Sequence, residues 1–115
     1  MQYMLMIYSN EKAHQTATRE QGEQIMGAYY AYTEAMKKAG AFVAGDRLQP
    51  TTAATTVNIV DGKTKVLDGP YAETKEQLGG YYLIEAADLD AALAWAARCP
   101  GATYGHIEVR PIWVM

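Results

Sequence analysis

Cysteine occurs once in this chain of 115 residues, at Cys99, so no internal disulfide and no thiolate metal set can form. Histidine occurs twice, as His14 and His106, without H-x-x-x-H, H-E-x-x-H or paired Cys/His spacing, and no metal site is expected. Basic residues are outnumbered: ten Lys and Arg against thirteen Asp and Glu give a net charge of −3. Such a balance offers no basic stripe to a phosphate backbone, which argues against a nucleic-acid partner. Long apolar runs are missing too. The longest, Tyr3 to Tyr8, falls far short of the roughly 20 residues a membrane span needs. No basic stretch followed by an apolar one opens the chain as a secretory signal would, so a cytoplasmic protein without a membrane partner is expected. Nor does the chain contain G-x-G-x-x-G, G-x-x-x-x-G-K-[ST] or G-x-S-x-G, and no cofactor is expected.

What is present reads as one domain over residues 1–115, half of it apolar and able to bury a core. Met1 to Ser9 reads as a strand whose two faces, Tyr3/Leu5/Ile7 and Met4/Met6/Tyr8, are both apolar. Asn10 to Gln15 is polar and reads as a turn, with His14 exposed. Ile25, Tyr29, Tyr32, Met36 and Ala39 then recur at helical spacing, predicting a helix over about 17–39, capped by Thr16 or Thr18 and stopped at Gly40.

Further strands are predicted at Ala41–Asp46, Thr55–Val60, Lys63–Leu67, Gly79–Ala86 and His106–Val114. Asp61-Gly62 between the second and third of these is a hairpin turn signal. Asp88 is placed to cap a second helix running to about Arg98, with Leu89, Ala92, Leu93 and Ala96 on one stripe.

The predicted fold class is therefore α+β: a ferredoxin-like βαββαβ with an inserted β-hairpin at Thr55–Leu67. Two helices cover one side of the sheet, yet the strands Tyr3–Tyr8 and Gly80–Ala86 are apolar on both sides. Several large side chains, at roughly 1.5–3 kcal/mol each, are left over. Monomers rarely leave such a patch open. A homodimer through the sheet face solves the surplus; the hairpin folding back over the same face is the alternative.

Two clusters could carry chemistry. Asp68 to Gly80 is dense in ionisable groups, with Asp68 a candidate acid or base and Glu73 and Lys75 candidate ligand contacts. The plainer reading is that Asp68 holds a turn while Glu73, Lys75 and Glu76 form a solvated face. On the last strand, alternation sets His106, Glu108 and Arg110 on one face, with Arg110 the best fork donor for an anion. An ordinary charged row pairing with neighbouring strands fits equally well. Tyr29 is a further candidate, since a phenol can donate inside an apolar wall. Asp46-Arg47 carries the weakest signal.

The block Asp68-Gly69-Pro70-Tyr71-Ala72-Glu73-Thr74-Lys75-Glu76-Gln77-Leu78-Gly79-Gly80-Tyr81 resembles the signature of the DGPF-type branch of the YCII-related proteins, with Tyr71 where Phe is usual. Gly45-Asp46-Arg47-Leu48-Gln49-Pro50 and Glu108-Val109-Arg110-Pro111 are similar to two further blocks of that family. The resemblance implies ferredoxin-like subunits in a dimeric α/β-barrel assembly, in bacterial proteins often encoded near extracytoplasmic-function sigma factors. For the wider family it implies a histidine–aspartate pair with the histidine in the first helix. Here the predicted helix over 17–39 holds no histidine, and Asp68 is the motif carboxylate that matches.

Two functions follow as expectations. In the first, a small molecule is bound or transformed in a cleft near the dimer interface, with Asp68 as acid or base and Arg110 orienting an anionic group. In the second, the chain is a non-catalytic accessory or sensor protein, with a sigma factor as partner.

Overall fold

The first strand sets the architecture. A computed structural model describes residues 1–115, and in it β1 (Gln2–Ser9) alternates strictly between buried and partly exposed positions. Tyr3, Leu5, Ile7 and Ser9 point into the core, and Met4, Met6 and Tyr8 point the other way. One short element separates β1 from the long helix. Asn10 caps α1 (Glu11–Gln15) by accepting the Lys12 N–H at 3.0 Å, and α2 (Arg19–Lys38) follows at once. The segment Asn10–Gln15, expected as a turn, is thus a single helical turn. It is too short for apolar periodicity to reveal it. At Thr18 a full capping box forms: Thr18 Oγ1 accepts from Gln21 N–H at 3.1 Å and Gln21 Oε1 accepts from Thr18 N–H at 2.9 Å.

After α2 come β2 (Phe42–Arg47), a 3-10 turn at Thr51–Ala53, β3 (Thr55–Val60), β4 (Lys63–Asp68) and β5 (Gln77–Glu85). α3 (Leu89–Arg98), a second 3-10 turn at Pro100–Thr103, and β6 (His106–Pro111) complete the chain. Four strands form one antiparallel sheet in the order β2-β5-β1-β6, an order compatible with a ferredoxin-like fold. β3 and β4 pair only with each other, turning through Asp61 and Gly62, both at positive φ (53° and 76°) as a type I′ turn requires. The last strand ends at Pro111, and the Ile112 N–H makes one further bond to Gln2 O at 2.9 Å; Trp113, Val114 and Met115 are exposed.

The core lies on one side of the sheet. Leu5, Ile84 and Met36 are fully excluded from solvent, with Tyr3, Tyr32, Tyr82, Ala92 and Ala96 around them. On α3 the buried stripe is rotated from the expected one: Ala91 and Trp95 pack beside Ala92 and Ala96, and Leu89 and Leu93 face solvent. Alanines at the contact let the helix sit close to the sheet, and the leucines have no place in so narrow a gap.

The opposite side of the sheet has no cover from this chain. Register puts Met4 beside Leu83 and Met6 beside Tyr81, and sets Arg110, Glu108 and His106 opposite Met4, Met6 and Tyr8. The alternative of a folded-back hairpin does not occur: on the ribbon, Val57, Ile59 and Val66 are 58%, 63% and 64% exposed. The molecule is a slab of 48 × 44 × 19 Å, and 19 Å is the thickness of one helix layer on one sheet. Its radius of gyration of 16.1 Å exceeds the roughly 13 Å of a compact chain this long because the ribbon projects.

Candidate functional site

The sequence-predicted residues are scattered by this topology. Asp68 is the exposed last residue of β4, opposite Thr55. The turn after it is held by the Gly69 N–H to Ala54 O (2.8 Å) and by Thr56 Oγ1 to Gly69 O (2.8 Å), with no bond from the Asp68 carboxylate. Glu73 and Lys75 are exposed in the following loop. Arg110 pairs with Glu108 at 2.8 Å, and His106 Nδ1 meets Glu76 Oε1 at 2.7 Å, linking that loop to β6. His106 and Arg110 share the uncovered face. Tyr29 lies on the helix side.

On the helix side, around Tyr29, is a cleft of about 370 Å³, bounded by α1, α2 and the β2–β5 edge of the sheet. That volume is near the lower end of ligand pockets, roughly 300–1,000 Å³. Two inward positions at that edge, both lining the cleft, are glycines, Gly45 on β2 and Gly80 on β5. A Cβ at Gly45 would lie 2.7 Å from the Tyr82 ring, and one at Gly80 would lie 2.9 Å from Asp46 O. Side chains there would collide with the sheet itself before reaching the cleft.

At one end of the cleft, Ser9 occupies the last inward position of β1 and is 8% exposed. The single turn of α1 swings the chain back so that His14 Nε2 lies 3.1 Å from Ser9 Oγ. Tyr104 sits edge-on to the imidazole, with ring centroids 5.1 Å apart. His14 is therefore partly buried, not exposed as its polar neighbourhood implied.

The helix that carries it is pinned twice. The Glu11 N–H donates to Gln77 Oε1 at 3.0 Å, and the Glu11 carboxylate accepts from both the Thr51 amide and the Thr51 hydroxyl. Gln77 Nε2 in turn donates to Thr74 O at 2.6 Å. The signature block thus reaches the cleft through Gln77, which holds α1, and not through its carboxylates.

The remaining walls are phenolic and apolar. Burial pushes the Tyr29 phenol well above its ordinary range, with Cys99 and Tyr104 adding to the effect; its oxygen is a neutral donor at any physiological pH. Gly101 makes room for it, since a Cβ there would come within 2.7 Å of the Tyr29 hydroxyl. Burial likewise raises the Tyr82 phenol, whose oxygen lies 2.8 Å from Thr33 Oγ1. Arg47, on the inward side of β2 opposite Gly80, touches Met26 Sδ at 3.5 Å.

Chemically, the arrangement offers one imidazole paired with a buried hydroxyl, neutral phenols, and one guanidinium in the wall. No three His, Cys, Asp or Glu side chains gather as a metal set. Ser9 and His14 escaped sequence reasoning because their meeting depends on where β1 ends and α1 turns. The five-residue spacing between a strand-end serine and a histidine is the faint signal that was there.

The profile of the YCII-related domain matches residues 1–115. A protein of Rhizobium meliloti (strain 1021), named Uncharacterized protein R00369, is 41% identical over 114 residues, covering 97% of this chain and 92% of that protein.

Proposed function

The chain belongs to the YCII-related domain family, and from that footing we propose that it binds a small molecule in the helix-side cleft, with His14 able to move a proton on it. The observation that carries this reading is the contact between His14 Nε2 and Ser9 Oγ at the end of the cleft, on a helical turn held by Gln77 and Thr51. Preorganisation of that kind is what a general acid or base needs, and imidazole carries one nitrogen that can donate and one that can accept a proton. Neutral tyrosines around it supply hydrogen bonds without competing charge. The block Asp68–Tyr81 supports assignment to the DGPF-type branch.

The same reading seats a second copy of the chain on the uncovered sheet face, where Met4, Met6, Tyr8, Tyr81 and Leu83 adjoin. His106, Glu108 and Arg110 then line the border of that seat.

The test is a fragment screen by NMR on the wild type, His14→Gln and Asp68→Asn. Bound fragments are expected to shift His14 and Tyr29 resonances, with affinity reduced about ten-fold in His14→Gln and unchanged in Asp68→Asn. If Asp68→Asn abolishes binding while His14→Gln does not, the site lies at the base of the ribbon and the cleft reading falls.

A further inference from the structure

We propose that the cleft takes a small organic acid, its carboxylate held by Arg47 and its apolar body lying against Ile25, Met26 and Phe42. This rests on the reading that the cleft is a ligand site, and adds the class of ligand.

The argument is an inventory of charge. Each other arginine has a partner: Arg19 has Glu23 at 3.2 Å, Arg110 has Glu108 at 2.8 Å, and the Arg98 guanidinium stacks 4.4 Å from the centre of the Trp95 ring. Arg47 has only the Met26 sulfur, a weak acceptor, for a fork of five N–H donors. The carboxylates that share the cleft and its adjoining groove are engaged elsewhere, Glu23 by Arg19 at 3.2 Å. Glu11 is occupied by Thr51, and Asp46 accepts from the Tyr81 hydroxyl at 2.8 Å. The wall therefore holds an uncommitted cation and no uncommitted anion.

Position strengthens the case. Arg47 stands on the inward side of an edge strand, across from Gly80, so no side chain of β5 rises in front of it. His14 and Arg47 also line the same small groove that adjoins the cleft, placing the proton-moving group and the guanidinium at one mouth. A planar carboxylate matches a single guanidinium fork in two parallel bonds. A phosphate dianion fits less well, because Glu11 and Glu23 at the same mouth repel a second negative charge. With about 370 Å³ available, the body of the acid is a single ring or a short branched chain.

Benzoate and its neutral isostere benzamide are the probes, titrated into the full chain with His14 and Tyr29 resonances as the readout. Wild type is expected to bind benzoate about ten-fold or more tightly than benzamide. Arg47→Met, which keeps the stem against Met26, should erase that preference while leaving benzamide affinity within about two-fold. Lys63→Met, removing an exposed cation of the ribbon that lines neither the cleft nor the groove, should leave the preference intact. Equal binding of the two probes, or a preference that survives Arg47→Met, overturns the acid while the ligand cleft stands. Failure of both probes to move His14 or Tyr29 overturns the acid and counts against the cleft as a ligand site.

Discussion

The two faces of β1 contain nearly the same chemistry and meet opposite fates. Tyr3, Leu5 and Ile7 are 3%, 0% and 8% exposed beneath the helices, whereas Met4, Met6 and Tyr8 remain partly open. Nothing in the strand's own composition distinguishes them. The difference comes from the far side of the fold, where α2 and α3 both lie on one face. An apolar strand thus says that two covers are needed, and the chain supplies one.

The sharpest way to break this comparison is to truncate neighbours on opposite faces. Leu5→Ala removes a fully excluded side chain from beneath the helices and is expected to cost about 2–5 kcal/mol in urea unfolding. Met6→Ala, one residue on, leaves the helix-side packing intact and should cost about 1 kcal/mol or less in a dilute sample. Equal losses at low protein concentration would mean that the outer face is as well packed as the inner one.

Next in size is the effect of a charge on the uncovered face. Met6→Glu puts a carboxylate directly opposite Glu108 and beside Tyr81, where like charges across strands repel. Seating a second copy there would bury that charge. Sedimentation is expected to show a wild-type dimer weakened about 100-fold or more, roughly 3 kcal/mol, with circular dichroism unchanged. A wild type that sediments as a folded single subunit at micromolar concentration removes the second copy from the account.

Much of this architecture was legible locally. Thr18, Gly40, Asp61-Gly62 and Asp88 each act through bonds within a few residues, so both long helices and the ribbon begin and end close to where the chain predicts. The strand order follows from the same element sequence. The site was legible only in part. Tyr29 lies in the cleft, because a seam residue at helical spacing must face the sheet. Asp68, Glu73 and Lys75 drew notice as a dense polar block, yet their side chains lie exposed away from the helix-side walls. The block's contribution to the cleft is Gln77 and Gly80, residues with no charge to draw the eye. Ser9, His14 and Arg47 converge through the end of β1 and the pairing of β2 with β5, contacts that reach from Phe42 to Ile84.

The smallest effect separates the faces by proton affinity. On the helix side, burial raises the phenols of Tyr29, Tyr32 and Tyr82 above their ordinary value of 10.0 and the Cys99 thiol above 9.0. On the other face, Tyr81 is raised by its hydrogen bond to Asp46, a pair open to solvent. A folded value above the unfolded one means that the unfolded chain loses its proton first. The stabilisation is complete below pH 9 and declines as pH rises past 9.0 for Cys99 and 10.0 for the tyrosines. Each helix-side group steepens the alkaline fall in stability by at most about 1.4 kcal/mol per pH unit. Tyr32→Phe should therefore lower stability at neutral pH, through the lost bond to Trp95 O at 2.7 Å, and flatten the decline above pH 10. Tyr81→Phe should leave the alkaline slope nearly unchanged, since water already screens its partner. Thermal melts between pH 7 and 11 compare the two variants, and a slope that responds equally to both would erase the distinction between a covered face and an open one.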